Sequence, residues 1–447
     1  MARLVRATAA LLILLSVGAA LRLGPSRPAQ PEPPTHVFLV VYDTLRADHL
    51  GAYGYERPVS PNLDALARES AVFESVVSLS SWTKPSVTTI LTSISPADHG
   101  VGYQASRLPE GTPTLARALH AAGFETLGWS ANVNVSAEAG LAQGFDAFEE
   151  VGSENVRHST TPEIVGKAIA RIDPGRRQLF FLHLIGPHGP YVPSDEARAK
   201  LAHGRDAAVE ERMKHEFPAV WYRIDHPGQI DYLRSLYDAE ILDEDAAIAP
   251  LLAAIRERGL DGRSLFVLTS DHGEAFGEHG TMEHGNTLFH EEIHVPLLIR
   301  GPGIAPTRHP TVAGLHDVAP TVLARVGVEP PKTFGGIDLL GADVRQTNGR
   351  TIRLREFAES DDDRELLGVI ADGKKAIWSP QDESVRFLFE DWHADANDLD
   401  RAQAHEDEMR ELASRGGADP ARALPPSSME ISEETRRKME ALGYAGN

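Results

Sequence analysis

The chain has 447 residues, of which 42% are hydrophobic and 24% charged, a composition that suits one large α/β domain plus a smaller one. Its formal net charge of −21 argues against a nucleic-acid partner, because binding to a phosphate backbone needs a basic surface. The sequence contains no cysteine, which excludes disulfides, thiolate metal sites and a cysteine-linked lipid anchor.

The N-terminal segment predicts export. Arg3 and Arg6 precede a largely apolar run, Ala7–Leu21, which has the length of a signal-peptide core and is short for a membrane span. Small residues near its end provide a cleavage site, whereas a following arginine favours an uncleaved anchor. Residues 1–24 are therefore expected to be a signal peptide or an N-terminal anchor, and the proline-rich residues 25–35 a semi-extended tether. The expected location is periplasmic or extracellular, with a possible membrane tether.

Two short apolar runs after the tether predict buried parallel strands, at Val37–Tyr42 and at Leu265–Ser270. Asp43 follows the first run, and Asp271 and His272 follow the second. Because ligands of open α/β sheets collect beyond the carboxyl ends of the strands, these three side chains are expected to meet.

Further helices and strands alternate along the chain. Helices are predicted at Pro61–Ser70, Thr112–Gly123 and Ile230–Arg258, and strands at Thr126–Ser130, Gln178–Ile185 and Val295–Ile299. Near residue 345 the composition shifts. Apolar runs at Gly368–Ala371, Lys375–Trp378 and Arg386–Phe389 predict a small antiparallel sheet, followed by an acidic helical tail. The expected division is a main domain at 36–345 and a C-terminal subdomain at 346–447.

The segment Ser80–Ser93 predicts a loop that becomes a helix. Pro85 fits the first helical position, where its missing N–H costs nothing, and the residues before it then face the free amides of the helix. Such a terminus binds anions, so Thr83 is a candidate nucleophile toward a tetrahedral anion such as sulfate or phosphate. The alternative is that Thr83 or Ser86 only caps the helix.

The residues at the predicted strand ends suit a metal ion. Asp43, Asp271 and His272, with the Thr83 oxygen as a fourth donor, would make a compact site for one divalent ion, a natural partner for a hydroxyl that must ionise. The imidazole donor favours manganese or zinc, and calcium stays open as the third choice.

A competing motif lies at His290–His294, which spells the zinc-protease signature His-Glu-Glu-Ile-His. In that signature two histidines one helical turn apart bind zinc and the glutamate activates water. Pro296 would stop the helix soon after its second histidine, which makes a protease the weaker alternative.

Several of these segments resemble the sulfatase family, within the alkaline phosphatase superfamily. Residues 83–86 (Thr-Lys-Pro-Ser) with 90–93 (Ile-Leu-Thr-Ser) are similar to the family's nucleophile segment. Residues 41–51, and 270–274 with 278–280, are similar to its first and last metal-ligand motifs. The resemblance implies an alkaline-phosphatase-like α/β fold, with a central, largely parallel sheet flanked by helices and a small C-terminal antiparallel sheet.

Three positions depart from the family's pattern. Thr83 stands where sulfatases carry the Cys or Ser that is oxidised to formylglycine, Val87 replaces a supporting Arg, and Thr44 replaces a second liganding Asp. The segment is closer to relatives that use an unmodified Thr against phosphate esters, such as phosphoethanolamine and lipoteichoic acid transferases and nucleotide pyrophosphatases. Two-metal members add a site built on Asp and His four residues apart. No His in this chain has an Asp four residues before it, so one metal is expected.

The resemblance also implies roles around the anion. His188 lies where the family keeps a strand-end His that touches the ester, and His284 takes the place of a substrate-binding Lys, which makes it a candidate general acid. Lys84, Asn132 and Asn134 are the expected substrate contacts, and the two asparagines replace a Lys-x-His pair of the family.

Together these features predict an exported, metal-dependent hydrolase of sulfuric or phosphoric esters, including phosphodiesters and phosphonates, with Thr83 as nucleophile. Its expected substrate is a small-molecule, glycan or lipid ester. Two alternatives stay open, a phospho-group transferase of the cell envelope and a non-catalytic anion-binding relative.

Overall fold

The computed structural model describes residues 32–102, 105–152, 160–215, 224–341, 350–357, 365–381 and 386–389, together with 411, 414–415, 428 and 431–441. The predicted signal peptide or anchor at 1–24 and most of the tether lie outside these residues. The described residues from Pro33 onward group as one compact unit. In the described ranges no helix has the length and apolar character that crossing a membrane requires.

The strands are β1 (His36–Tyr42), β2 (Ala71–Val77), β3 (Glu125–Ser130), β4 (Ala147–Glu150), β5 (Gln178–Leu184), β6 (Ser264–Ser270), β7 (Ala275–Phe276), β8 (Met282–Glu283), β9 (Leu297–Arg300), β10 (Arg308–Gly314), β11 (Thr351–Glu356), β12 (Leu366–Ala371), β13 (Lys374–Trp378) and β14 (Arg386–Phe389). Eight of them form the central sheet, in the order β10-β2-β9-β6-β1-β5-β3-β4. Only β9 runs antiparallel to its neighbours in this sheet, which is therefore largely parallel, as predicted.

The helices are α1 (Pro61–Ala67), α2 (Thr83–Thr92), α3 (Pro96–His99), α4 (Leu115–Ala121), α5 (Thr161–Arg171), α6 (Asp195–Leu201), α7 (Ala207–His215), α8 (Pro227–Glu257), α9 (His290–Ile293), α10 (Val318–Arg325) and α11 (Glu433–Ala441). They cover both faces of the central sheet. Side chains of β1 accordingly alternate between two hydrophobic cores, one on each face. Leu39 and Val41 pack in one core with α2, α4 and α10. Val40 and Tyr42 pack in the other core with α1, α5 and α8.

The predicted start of α2 is wrong by two residues. The helix begins at Thr83, so Pro85 is its third residue and not its first. Pro85 is still tolerated there, because amides of the first turn have no acceptor within the helix. Thr83 is therefore the first helical residue itself, and Trp82 is the residue that precedes the helix.

The C-terminal sheet has four antiparallel strands in the order β11-β12-β13-β14, one more than the sequence indicated. The added strand, β11, is half buried in strict alternation. Its Arg355 N–H donates to the Leu79 carbonyl at 2.9 Å, which joins this sheet to the loop before α2. At the β12–β13 turn, Asp372 and Gly373 both have positive φ, 54° and 81°, the pairing that a tight hairpin needs.

Candidate active site

Asp43 and Asp271 meet because their strands are neighbours in register. Tyr42, the last residue of β1, pairs with Ser270, the last residue of β6, in a parallel ladder. The Asp271 N–H donates to the Tyr42 carbonyl at 3.0 Å. Both carboxylates therefore leave the same edge of the sheet, and both are completely buried.

Four predicted donors converge at this edge. Asp43, Asp271 and His272 each offer one ligand atom within 4.8 Å of the others, and they are the one such group of acidic and histidine side chains in the described part of the chain. Nε2 of His272 lies 3.7 Å from Oδ1 of Asp43 and 3.7 Å from Oδ2 of Asp271. The Thr83 Oγ1 lies 3.2 Å from the same nitrogen.

The orientation of these groups fits a divalent cation. His272 Nδ1 lies 3.0 Å from the Gly273 carbonyl, which can only accept, so Nδ1 carries the hydrogen and Nε2 presents its lone pair to the cluster. Asp43 Oδ2 accepts from the Asn132 amide at 2.7 Å, but its buried Oδ1 has no hydrogen-bond partner. A buried carboxylate oxygen without a partner is costly, and two carboxylates, an imidazole and a hydroxyl are donors that a divalent ion accepts.

Electrostatics favour a cation at the same point. Burial raises the pKa of Asp43 well above its ordinary value, and the neighbouring Asp271 raises it further. Burial also acts to raise the pKa of Asp271, but His272 and His183 outweigh it, so that pKa is lowered. His183, whose Nε2 lies 3.4 Å from Asp271 Oδ2, is thus a neighbour of the cluster although it lies inside an apolar strand. Two adjacent carboxylates resist being charged together unless a positive charge lies between them.

The backbone after Asp43 is strained. Thr44 has a φ of 61°, a left-handed conformation that costs a β-branched residue about 1–3 kcal/mol. This conformation aims the Thr44 N–H at Oδ1 of Asp271, at 3.2 Å, and its carbonyl accepts from the Tyr237 hydroxyl at 2.7 Å. The Thr44 hydroxyl is buried without a hydrogen-bond partner. The strained conformation of Thr44 therefore helps to hold Asp271 in its place in the cluster.

His284 is held beside the cluster by a carboxylate that the sequence did not single out. Its Nδ1 lies 2.9 Å from Oε1 of Glu274, and the Tyr191 hydroxyl donates to Oε2 of Glu274 at 3.0 Å. The His284 ring centroid lies 4.5 Å from that of His272 and 4.9 Å from that of His188. Burial lowers the pKa of both His284 and His188 to about 4 and raises that of Glu274 to about 7.

The three expected substrate contacts differ in their surroundings. Asn132 donates to Asp43, so it orients a candidate metal ligand. Asn134 is buried beside it, and its side-chain nitrogen has no hydrogen-bond partner. Lys84 is also buried, which lowers its pKa to about 8, and its ammonium lies 3.4 Å from the Ser106 carbonyl. Substrate contact by these three residues stays a prediction.

The zinc-protease motif does not form the helix that it needs. Helix α9 ends at Ile293, and His294 follows it in an extended conformation. His294 Nε2 lies 2.9 Å from the Glu74 carbonyl, so this nitrogen donates to the backbone. The Glu291 carboxylate oxygen Oε1 lies at hydrogen-bond distance, 2.9 Å, from Nδ1 of His279. The ring centroids of His290 and His294 lie 4.4 Å apart, but the motif supplies no group of three metal-ligand atoms in the described part of the chain.

The fold and the cluster define an α/β protein with a candidate site for a divalent cation and a tetrahedral anion at the carboxyl edge of its sheet. The chain belongs to the sulfatase family, because the family model named Sulfatase matches residues 35–328, more than half of its length. The predicted resemblance and the alkaline-phosphatase-like fold class are thereby confirmed.

Two curated relatives illustrate the range of similarity. Arylsulfatase A from Bos taurus is 26% identical over 377 residues, which cover 76% of this chain and 73% of the relative. Arylsulfatase K from Xenopus laevis is 35% identical over 113 residues, 25% of this chain, and the match spans only 21% of that relative's length.

Two solved structures share the fold. BT4656 in complex with its substrate D-glucosamine-2-N,6-O-disulfate superposes with a TM-score of 0.70 at 20% identity, covering 86% of this chain and 97% of that one. Phosphonate monoester hydrolase SpPMH from Silicibacter pomeroyi superposes with a TM-score of 0.67 at 20% identity, covering 85% and 93%.

Proposed function

We propose that the protein hydrolyses sulfuric or phosphoric esters with one divalent metal ion and with Thr83 as its nucleophile. The observation that carries this proposal is the position of Thr83, whose hydroxyl oxygen lies 3.2 Å from Nε2 of His272 beside two buried carboxylates. Membership of the sulfatase family supports the reaction class. The similar folds of BT4656, with a sulfated sugar as substrate, and of a phosphonate monoester hydrolase make both ester classes reasonable candidates.

The N-terminus of α2 is suited to hold the anion. Trp82 precedes the helix, and its side chain makes no cap hydrogen bond there. The Ser86 N–H bonds to the Trp82 carbonyl, whereas the amides of Thr83 and Lys84 have no acceptor within the helix. These amides and the positive end of the helix dipole favour a sulfate or phosphate group next to the Thr83 hydroxyl.

Asp43, Asp271, His272 and Thr83 Oγ1 would hold the metal ion. When bound, the ion supplies positive charge that lowers the pKa of a hydroxyl and balances charge on the transferred group. Asn132 keeps the Asp43 carboxylate in place, and the Gly273 carbonyl keeps His272 in the tautomer whose Nε2 lone pair faces the cluster.

The Thr83 side chain favours phosphorus esters. Formylglycine carries a geminal diol that can expel sulfate by breaking a C–O bond. A threonyl ester lacks this route and must be cleared by water attacking the sulfur or phosphorus. A plain alkoxide suits phosphoryl transfer, so we expect phosphorus esters to be turned over at least as well as sulfate esters.

His284 is the preferred candidate to protonate the leaving oxygen. Glu274 engages Nδ1 of His284 at 2.9 Å, so Nε2 is the nitrogen available to a substrate. To act as an acid the ring must be in its imidazolium form, which burial disfavours and which a bound anion would favour. His188 is the second candidate, and its Nδ1 lies 2.5 Å from the Gly189 carbonyl.

A panel of nitrophenyl sulfate, phosphate, phosphodiester and phosphonate esters tests the proposal, with and without manganese, zinc or calcium. We expect metal-dependent release of nitrophenol from at least one phosphorus ester. An acceptor alcohol added to the assay separates hydrolysis from the transferase alternative, which would give a phosphorylated alcohol. No turnover by the metal-loaded protein would favour the non-catalytic alternative.

A further inference from the structure

Glu356, the last residue of β11, reaches from the C-terminal sheet to the loop before Thr83. This loop, Ser78–Trp82, connects β2 to α2 and is called the nucleophile loop below. The backbone N–H of Ser81 donates to Oε2 of Glu356 at 2.7 Å. The hydroxyl oxygens of Ser80 and Ser81 each lie 2.8 Å from the same carboxylate oxygen. Glu356 is only 1% exposed, so one buried carboxylate oxygen meets a backbone N–H and two hydroxyls next to the nucleophile.

The opposite side of the nucleophile loop is fixed from within the main domain. The Ser80 carbonyl accepts from the Ser78 hydroxyl at 2.6 Å and from the Ser86 hydroxyl at 2.8 Å. The peptide between Ser80 and Ser81 is therefore bonded on both sides, through its carbonyl to the main domain and through its N–H to Glu356. Such a peptide has little freedom to rotate, and it lies two residues before Thr83.

Lys375, on β13, makes a matching contact to a second loop of the site. This loop, His284–Leu288, is called the His284 loop. Lys375 is 1% exposed, and its ammonium donates to the Leu288 carbonyl at 3.0 Å. The Ser81 hydroxyl also lies 2.6 Å from the Thr287 carbonyl, so its one hydrogen is shared between Glu356 and the His284 loop.

We propose that Glu356 is a positioning residue for Thr83 and Lys375 a positioning residue for His284. The C-terminal sheet acts as a clamp on the two loops that carry the reacting groups. Burying both charges is expensive, and apolar residues of similar size would often serve stability equally well. What the charges add is fixed geometry, and a misplacement of about 1 Å in an active site costs about 10²-fold in rate. This inference rests on the proposed ester hydrolysis.

Glu356→Ala and Glu356→Gln test the first half of the inference, in the metal-loaded, full-length protein. We expect Glu356→Ala to lower kcat about 10²-fold with KM little changed, equally for esters with good and poor leaving groups, because attack by Thr83 is affected. Glu356→Gln keeps one acceptor oxygen and should recover about tenfold of this loss. Wild-type kcat in folded, metal-loaded Glu356→Ala would overturn the assignment. If that variant does not fold, wild-type kcat in Glu356→Gln overturns it.

Lys375→Met tests the second half. Since Lys375 acts through the His284 loop, we expect a loss of turnover for poor leaving groups and almost none for good ones, which need no proton. An equal loss for both, or none for either, would contradict this role. Asp372→Asn is the matched control, because Asp372 is exposed on the same sheet, and Asn adopts its left-handed conformation readily.

Amide hydrogen exchange separates this inference from the proposed function. If the wild type cleaves no ester, the proposed function is wrong, and exchange at the Ser81 amide then decides the clamp. Faster exchange in Glu356→Ala with an unchanged rate in Asp372→Asn supports the clamp. An unchanged rate in Glu356→Ala overturns it.

Discussion

The Thr83 hydroxyl oxygen lies 3.2 Å from Nε2 of His272, although 189 residues separate the two in the chain. One side chain opens a helix and the other follows a parallel strand, so the contact depends on how α2 and β6 pack at the sheet edge. Substitutions in the metal cluster and at Thr83 therefore test the two sides of this contact separately.

Replacing Asp271 by Asn is expected to remove bound metal and activity and to leave the fold intact, because an amide cannot supply the negative charge that a divalent ion needs. Metal per chain by elemental analysis and a thermal melt measure the two effects. Asp231→Asn is the control, since Asp231 is exposed on α8. Full metal content in Asp271→Asn would refute the assigned site.

Replacing Thr83 by Ala is expected to lower turnover by several orders of magnitude, because a nucleophile acts as a unit with its metal. Thr83→Ser should keep part of the activity, since it keeps the hydroxyl. Steady-state rates on the preferred nitrophenyl ester measure both. If Thr83→Ala stayed active, or if sulfate esters alone were cleaved, a different nucleophile or an unmodified-Thr sulfatase mechanism would have to replace this one.

Replacing His290 by Ala is expected to keep most activity and all bound metal, because the motif at His290–His294 forms no metal group with the cluster. Activity and zinc content of the purified variant are the measurements. Loss of both together would restore the zinc-protease alternative.

Glu240, on α8, is expected to make stability fall as pH rises. Burial raises its pKa from 4.5 to about 8, and the neighbouring Glu244 adds to the shift. Between these two values the unfolded chain has lost this proton and the folded chain keeps it, so the free energy of unfolding decreases by roughly 1 kcal/mol per pH unit. Glu240→Gln removes this contribution. Its advantage over the wild type should be largest near pH 8 and vanish toward pH 4.5, as measured by denaturant unfolding. Parallel pH profiles of the two proteins would contradict the shift.

Export is the fifth prediction, and it depends on the sequence of residues 1–24, where two arginines precede an apolar run. Fractionation of the native host should recover the protein outside the cytoplasm, either free or on the membrane. Intact protein in the cytoplasmic fraction that still carries Met1–Leu21 would contradict it.

The strands that carry Asp43, Asp271 and His272 could be predicted because buried parallel strands are continuous apolar runs. That the three side chains lie close together could also be predicted, because ligands of open α/β sheets collect beyond the carboxyl ends of the strands. The partners of these groups could not be predicted in the same way. Asn132 reaches Asp43 across 89 positions, and Glu356 reaches Ser80 across 276. Such pairs have no local periodicity, so only the folded chain reveals them.

Glu274 shows a different limit. It stands in a recognisable segment two residues after His272, yet the segment gives no sign that its carboxylate faces His284. Strand β11 was missed because its alternating pattern, Thr-Ile-Arg-Leu-Arg-Glu, is short and places charged residues beside apolar ones. The burial of Glu356, the last residue of β11, depends on contacts with residues far away in the sequence, so the local pattern does not show it.

The left-handed backbone at Thr44 has a consequence for the metal preference of this site. Asp and Asn adopt positive φ more readily than a β-branched residue does, so the main chain at this position would accept an aspartate with less strain than Thr44. An aspartate there would relieve strain and add a third carboxylate to the cluster. Thr44→Asp would therefore test whether the metal preference of the cluster can be shifted toward calcium without rebuilding the fold.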